Sequence, residues 1–167
     1  PAVRLQFPLA MDDLGRTRDD RSLMGVVHLD GNGVGRRIAD WLRTRAEQNA
    51  GDEDVVAGLR SLSAGLARAA HDALAAVVRR AVAAIVHDPR SGYDVRSRRL
   101  GRGFTLSATP AGVVYLPVRP VILGGDDLTF ICDGRIALDL AAAALSAFEK
   151  ATVPVLGPVR ASAGVAI

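Results

Sequence analysis

The sequence predicts an α+β fold in which helices cover one face of an antiparallel sheet. Short apolar runs typical of strands alternate with longer stretches whose apolar residues recur at helical spacing. A length of 167 residues fits about one domain. Hydrophobic residues make up 49% of the chain and aromatic residues only 4%, so the core must be built from Ala, Val, Leu and Ile.

The first half of the domain contains one predicted strand followed by two helical stretches. Residues 24–30 form a short apolar run that ends on Asp30, and a glycine-rich turn follows at 31–35. Helical spacing of apolar residues then includes Val34, Ile38, Trp41 and Leu42. After a polar break at 49–54, residues 55–86 keep helical spacing, as one long helix or two. The first crossover between strands therefore contains extra helix.

The second half begins with a predicted loop and continues into a hairpin. Residues 87–103 are rich in Gly, Arg and Asp, which favours a loop. The strand at 113–123 contains Pro117 and Pro120, which indicate an edge, a bulge or a kink because proline cannot donate to a strand ladder. The second strand of the hairpin is predicted at 128–132.

A helix and a last strand complete the predicted order. The helix spans residues 136–150, a loop containing Pro154 follows, and the final strand lies at 159–167. The resulting order β-α-β-β-α-β matches the ferredoxin-like split βαβ pattern. We expect this domain to occupy residues 23–167, after a lead-in segment at 1–22 that has no clear period.

Charge and cysteine content narrow the function classes. Lys150 is the only lysine among 21 basic residues, and arginine suits bidentate phosphate contacts, although a GC-rich genome produces the same usage. A single cysteine, Cys132, excludes a disulfide framework and a zinc-finger pattern. Without a signal peptide or an apolar run of 18 residues, we expect a cytoplasmic protein with no membrane partner. The start at Pro1 and the end at Ile167 inside a strand-like run indicate a C-terminally truncated part of a longer protein.

The turn Gly124-Gly125-Asp126-Asp127 is the most informative feature of the chain. The Gly-Gly pair stands between two apolar runs and predicts a hairpin turn. Adjacent carboxylates repel each other, and a divalent cation relieves that repulsion. In a βαββαβ sheet the end of the first strand lies beside the central hairpin. Asp30 is therefore expected to approach Asp126 and Asp127 on the open face of the sheet.

Three carboxylates at one point suit metal-dependent phosphoryl transfer. Two Mg²⁺ or Mn²⁺ ions about 3.5–4 Å apart activate an attacking hydroxyl and stabilise the leaving oxygen. The backbone carbonyl near Gly31 would add a ligand, and Gly31 and Gly33 would let the backbone approach a triphosphate. The helix that begins near Gly33 would direct its free N–H groups at the phosphates, with added charge from Arg36 and Arg37. The expected reaction is attack of a ribose hydroxyl on an α-phosphate, with pyrophosphate leaving.

These turns also have other interpretations. The Gly-Gly-Asp-Asp turn alone can be a surface turn, and Asp30-Gly31-Asn32-Gly33 alone can be an Asx-type turn that caps a helix. The glycines at 31, 33 and 35 follow a strand, but G-x-G-x-G is not the dinucleotide spacing G-x-G-x-x-G. Asp30 directly before them would also repel a pyrophosphate unless a metal intervened. We therefore favour the metal site over a dinucleotide site.

Histidines and a basic segment give weaker signals. His28 alternates with Asp30 and either faces the site or is a half-exposed strand residue, while His71 is expected on a solvated helix face. A basic run before the hairpin either covers a triphosphate, contacts nucleic acid or is a solvated loop. Its members are Arg90, Arg96, Arg98, Arg99 and Arg102.

Three segments together resemble a known family. Residues 29–35, the turn at 124–127 and residues 162–167 look like the palm domain of the Cas10-type large subunit of type III CRISPR complexes. The same palm occurs in minimal CRISPR polymerases and, more distantly, in GGDEF diguanylate cyclases. The turn carries Asp-Asp followed by Leu128 where GGDEF proteins carry Asp-Glu-Phe, so the resemblance is closest to the Cas10/Cmr2-type palm.

The resemblance implies an activity and a set of site residues. Such palms bind two metal ions and ATP and make cyclic oligoadenylates that activate antiviral effectors. Carried over, Asp30, Asp126 and Asp127 would be the catalytic metal ligands, with Gly31 contributing its carbonyl. The nucleotide-binding residues would be Gly31, Asn32, Gly33, Gly35, Arg36, Gly124 and Gly125, with Asn32 near the sugar or base. The nuclease motif, the second palm and the zinc cysteines of the full subunit are not present, which suggests a stand-alone relative.

Three hypotheses follow. The first is a metal-dependent nucleotidyltransferase that makes a linear or cyclic oligonucleotide signal from nucleoside triphosphates, with ATP as the expected substrate. One palm provides half of a two-nucleotide site, so a homodimer or a partner palm is expected, and the resemblance adds an RNA-guided complex or a downstream effector as partners. The second hypothesis is a catalytically silent nucleotide sensor. The third is an architectural palm in a larger complex.

Overall fold

The protein has an α+β fold, as predicted. The computed structural model describes residues 3–14, 23–96 and 103–167. In chain order the elements are β1 (Leu5–Gln6), a 3-10 turn (Met11–Asp13), β2 (Met24–Gly31), α1 (Val34–Glu47), α2 (Asp52–Ala83), β3 (Ile85–Asp88), β4 (Gly92–Val95), β5 (Phe104–Thr105), β6 (Val114–Tyr115), β7 (Val118–Gly124), β8 (Asp127–Asp133), α3 (Ala137–Phe148), β9 (Thr152–Val153), β10 (Gly157–Pro158) and β11 (Ala161–Ala166).

A four-stranded antiparallel sheet is the centre of the molecule. Its strand order is β11-β2-β8-β7. Strand β2 lies between β8 and β11, with Leu29 paired to Leu128 on one side and Asp30 paired to Ser162 on the other. Residues along β2 alternate strictly between exposed and buried, as expected for a sheet with one covered face. His28 and Asp30 consequently lie on the open face.

Helices α2 and α3 cover the other face of this sheet. They pack against each other, and between them they contact all four strands. The core is built largely from aliphatic side chains, as the composition predicts, with Phe104, Phe130 and Phe148 as its largest members. Burial of this apolar surface is the main favourable contribution to folding.

Helix α1 is mostly exposed and contacts α2 through one aromatic residue. A Cβ atom at Gly58 would stand 2.5 Å from the ring of Trp41, so only glycine leaves room for the indole on α2. The stretch predicted as one or two helices is a single helix that starts at Asp52. The break predicted at 49–54 is therefore too long, because the acidic residues 52–54 form the first turn of α2, where they stabilise the helix dipole.

The prediction of a loop at 87–103 is wrong for those of its residues that the structure describes. Strands β3 and β4 form a hairpin that β5 extends to three strands. The buried carboxylate of Asp94 accepts hydrogen bonds from Ser91 (3.0 Å), Arg96 (2.8 Å) and Thr105 (3.0 Å). This network lets a charged segment form strands, because each buried charge has partners. Arg96 also pairs with Asp88 at 2.6 Å, whereas Arg98, Arg99 and Arg102 lie outside the described residues.

The remaining predictions on loops and edges have mixed outcomes. Strand β7 is an edge strand whose register shifts between Pro120 and Ile122, so the predicted edge and bulge are confirmed. The described part of the lead-in segment contains β1, which pairs in parallel with β6. The predicted loop around Pro154 contains the short hairpin of β9 and β10. No helix in the described ranges is long and apolar enough to cross a membrane.

Candidate functional site

The Gly-Gly-Asp-Asp segment forms the hairpin turn between β7 and β8, as predicted. Gly124 pairs with Asp127 across the turn, which leaves Gly125 and Asp126 as its two central residues. Gly125 has a φ of +60°, a left-handed conformation that glycine adopts without a steric penalty. The turn places Asp126 and Asp127 at the end of the sheet where β2 also ends.

The carboxyl group of Asp126 lies against the backbone of Gly31. A Cβ atom built on Gly31 would stand 2.6 Å from Cβ and 2.8 Å from Oδ2 of Asp126, and 3.0 Å from Cγ2 of Val34. Any larger residue at position 31 would displace the carboxylate. The glycine of the first turn and the acid of the second turn therefore form one site.

The charges of the other two predicted ligands act on Asp126. Partial burial raises the pKa of Asp126 above its ordinary value, and the negative charges of Asp127 and Asp30 raise it further. A hydrogen bond from its own backbone N–H partly offsets these effects. The negative charges of Asp30 and Asp127 thus reach the Asp126 carboxyl, which itself lies against Gly31, the buried neighbour of the exposed Asp30 along β2.

Asn32 is tied to β11 through both its backbone and its side chain. Its N–H donates to the carbonyl oxygen of Arg160 at 2.8 Å. The hydroxyl of Ser162 donates to Asn32 Oδ1 at 2.9 Å. Gly33, with a φ of +67°, then reverses the chain into α1. The turn after β2 is consequently held in one conformation beside the three carboxylates.

The start of helix α1 lacks the features that normally stabilise a helix N-terminus. No side chain among the described residues caps Gly33, and the first turn of α1 contains no acidic residue. Arg36 and Arg37 stand there instead, where positive charge opposes the helix dipole. Helix α2 differs, because three acidic residues occupy its first turn. An anion bound at the start of α1 would supply the missing negative charge.

The two arginines at the start of α1 have different surroundings. The guanidinium of Arg37 donates to the carbonyl oxygens of Pro158, at 3.0 Å, and Leu156. Arg37 therefore holds the segment before β11. Its guanidinium, which was expected to add positive charge for a phosphate, is already engaged in hydrogen bonds within the fold. Arg36 is exposed, as is Gly35, so both stay accessible to a ligand.

The three histidines lie in two strands and one helix. His28 is exposed on the same face as Asp30, and its Nδ1 is 2.8 Å from Thr129 Oγ1. His71 is exposed on α2, as expected. His87 belongs to β3 and packs edge-on against Tyr93, with ring centroids 5.0 Å apart.

The donor set suits a hard divalent cation that is also held by substrate. Within the described ranges, no three or more His, Cys, Asp or Glu side chains form a cage that could hold a metal ion, so Asp30, Asp126 and Asp127 do not form one by themselves. Mg²⁺ uses one or two carboxylates together with substrate phosphates, so it does not need such a cage. The partly buried carboxyl of Asp126, on which the charges of Asp30 and Asp127 act, fits this mode of binding.

Sequence reasoning missed two features near the site. The first is the bond between Ser162 and Asn32, whose only signal was that Ser162 opens the strand-like segment at 162–167. The second is a cleft of about 690 Å³ lined by Asn32, Arg37, Glu149, Pro158, Val159 and Arg160. No sequence pattern indicated this cleft, because its walls come from three separate parts of the chain.

Comparison with known proteins adds no assignment. No protein-family model matches the chain, and no curated protein is detectably similar to it. Its function must therefore be argued from the fold and the site.

Proposed function

We propose that this protein is a metal-dependent nucleotidyltransferase of the palm type, which joins nucleoside triphosphates into a linear or cyclic oligonucleotide and releases pyrophosphate. The observation that carries the proposal is the contact of Asp126 with Gly31, with the charges of Asp30 and Asp127 acting on the same carboxylate. The resemblance to Cas10-type palms suggests ATP as the substrate and a role in antiviral defence.

The arrangement of strands supports the palm. The order β11-β2-β8-β7, with every neighbouring pair antiparallel, supports a ferredoxin-like βαββαβ sheet in which β2, β7, β8 and β11 would be the first, second, third and fourth strands. Helices α1 and α2 lie in the first crossover, where the sequence predicts extra helix. This order brings the end of the first strand beside the central hairpin, which is what the proposed chemistry requires.

The carboxylates are proposed to hold the metal. Asp30, Asp126 and Asp127, with the backbone carbonyl of Gly31, would bind Mg²⁺ or Mn²⁺ in a two-metal site. When bound, these ions polarise phosphate oxygens and make a hydroxyl a better nucleophile. The charges of Asp30 and Asp127 act on the Asp126 carboxyl, and a divalent cation bound there would relieve this repulsion.

The start of α1 is proposed to bind the triphosphate. Its first N–H groups have no acceptor within the helix, and its first turn carries the exposed Arg36. Gly33 and Gly35 keep side chains out of the approach, and Gly124 and Gly125 do the same at the hairpin, whereas the space beside Gly31 is filled by Asp126 and Val34. The chain thus orients an α-phosphate between the carboxylates and the helix.

A second nucleotide needs a second palm. The site described here has one set of carboxylates and one helix start, which accommodates one triphosphate. We therefore propose that the acceptor nucleotide is supplied by a second copy of the chain or by a partner palm. A downstream effector or an RNA-guided complex would be a further partner implied by the resemblance.

The test is turnover with matched variants. The purified protein is incubated with each of the four nucleoside triphosphates and Mg²⁺ or Mn²⁺, and mass spectrometry follows pyrophosphate and oligonucleotide products. We expect a product that disappears in the Asp126→Ala/Asp127→Ala double variant and persists in Asp72→Ala, which removes an exposed carboxylate from α2.

Each of the other outcomes would change the proposal in a specific way. Full activity of the double variant would overturn the assignment of the metal ligands. Metal-dependent binding of a nucleotide without any product would replace the transferase with a nucleotide sensor. Absence of both binding and product would leave an architectural palm.

A further inference from the structure

A groove on the helical face of the protein carries positive charge. It lies between α2 and α3, on the side of these helices that faces away from the sheet, and has a volume of about 560 Å³. Arg79 and Lys150 line it, are exposed, and form no ion pair within the described ranges. Arg80 beside them is already paired with Asp139, at 2.6 and 2.8 Å. Against a single lining carboxylate, Asp72, the groove thus offers two cations to an acidic partner.

The floor of this basic groove is apolar. Half-buried alanines of both helices form it, and their short side chains let a partner come close to the two helices. An apolar centre with a charged rim is the usual arrangement of a protein interface. The groove therefore suits a partner whose carboxylates surround a small apolar side chain. The alanines of the floor are Ala76, Ala143 and Ala147.

The tip of the α1–α2 hairpin, residues 47–54, has the opposite charge. Its four carboxylates are exposed, and none of them forms an ion pair with a cation of the described segments. Three of them stabilise the dipole of α2, but Glu47 is the last residue of α1, where a carboxylate opposes the dipole. Helix stability therefore does not explain the whole concentration of charge. The four carboxylates belong to Glu47, Asp52, Glu53 and Asp54.

Val56 gives this acidic tip an apolar centre. Its side chain is 44% exposed and lies one helical turn after Asp52 and Glu53, on the same face of α2. Carboxylates beside an exposed valine match cations around an alanine floor. A molecule cannot make this contact with itself, because residues 53 and 76 lie about 34 Å apart along one continuous helix, at about 1.5 Å per residue.

We infer that the basic groove between α2 and α3 docks the acidic tip of a second copy of this chain, with Val56 over the alanine floor and the carboxylates facing Arg79 and Lys150. The contact joins two different surfaces, so each molecule can engage one neighbour through its groove and another through its tip. The groove lies on the opposite side of the sheet from Asp30, and the inference does not rest on the proposed function.

Sedimentation equilibrium of the full chain over a range of concentrations tests this contact. Self-association should be present at about 0.05 M salt and at least about tenfold weaker at about 0.5 M, because salt screens exposed charges. Two charge-reversed variants should each weaken it by at least about tenfold at low salt, since like charges then face each other. Arg79→Glu/Lys150→Glu reverses the groove, and Asp52→Lys/Glu53→Lys reverses the tip.

A mixture of the two reversed variants should associate again. The reversed groove of one variant accepts the reversed tip of the other, and their two unaltered surfaces also match. Arg4→Glu/Arg90→Glu is the control, because it changes the net charge as much as the groove variant does, at exposed positions outside the groove, and it should leave association unchanged. Thermal unfolding checks each fold, and Arg79→Gln and Glu53→Gln, which remove charge without reversing it, replace a reversed variant that unfolds.

Three results would overturn the inference. The first is a monomer at every concentration in low salt. The second is association that either reversal leaves unchanged, which would place the contact on other surfaces. The third is a mixture of the reversed variants that stays monomeric, because groove and tip would then not be partners.

Discussion

The carboxyl group of Asp126 and the backbone of Gly31 occupy adjacent space, since a Cβ on Gly31 would come within 2.6 Å of the Asp126 Cβ. The pairing of Leu29 with Leu128 leads to this contact, because two further steps along the same ladder bring residue 31 opposite residue 126. The absence of a side chain at position 31 is therefore part of the site geometry.

Gly31→Ala should abolish metal-dependent nucleotide binding while leaving the domain folded. The added methyl group has to displace Asp126, and overpacking of this kind costs about 1–3 kcal/mol of unfolding free energy. Calorimetric titration and urea unfolding measure the two effects. Gly164→Ala is the control on the same sheet, because no described atom lies within 4 Å of a Cβ built there. Nucleotide affinity in Gly31→Ala equal to that of the unaltered protein would contradict the role given to this glycine.

Asp126→Asn should stabilise the fold near neutral pH and lose that effect in acid. Burial raises the pKa of Asp126, so ionisation of this carboxyl group lowers the free energy of unfolding. This loss of stability is absent below the ordinary pKa of about 3.9 and grows as the pH rises through the raised value. Because the side chain is partly exposed, we expect a gain of no more than about 1 kcal/mol.

Urea unfolding at several pH values measures this dependence. Asp72→Asn removes one exposed negative charge from α2 and controls for the change in net charge. A gain for Asp126→Asn that is constant across the pH range would show that the raised pKa of Asp126 is not its source.

Arg37→Ala should lower the stability of the fold, whereas Arg36→Ala should weaken nucleotide binding. Arg37→Ala removes hydrogen bonds to two carbonyl oxygens and should lower the unfolding free energy by about 1–3 kcal/mol. Arg36→Ala removes an exposed charge and should change stability by less than about 0.5 kcal/mol, yet weaken nucleotide binding and its dependence on salt. Unfolding and titration of both variants provide the comparison, and the reverse pattern would exchange the roles of the two residues.

Cys132 should resist alkylation in the folded protein. Burial raises the pKa of its thiol to about 12, and only the thiolate reacts rapidly. Mass spectrometry after iodoacetamide treatment should show no adduct under native conditions near neutral pH and one adduct in urea. Rapid labelling of the native protein would mean that β8 opens locally, because Cys132 is fully buried in that strand.

Local patterns were enough to predict the elements that carry the carboxylates. An apolar run that ends on Asp30 and a Gly-Gly turn before Asp126 define two strand ends, and the order of elements puts those ends together. The prolines of β7 also indicated an edge with a bulge, because proline lacks the N–H that a central strand needs. These features depend on properties of single residues within short segments.

Contacts between distant segments were beyond such patterns. Ser162 meets Asn32 because Ser162 pairs with Asp30 in the sheet, and that register cannot be read from either segment alone. The polarity of the β3–β4 hairpin predicts a loop, because the partners of Asp94 that compensate this polarity cannot be recognised from the segment alone. The position of Arg37 in the first turn of α1 likewise predicts a phosphate ligand, whereas its carbonyl acceptors lie near residue 157, far along the chain.

The irregular edge of β7 also affects how the molecule behaves in a crowded solution. A regular edge strand offers a continuous row of N–H and C=O groups on which a strand of another molecule can assemble. Pro120 contributes no N–H, and the register shift beside it breaks the spacing of the row. Growth of the sheet by a neighbouring chain is therefore hindered along β7, and the turn that follows at residues 124–127 stays open to small solutes.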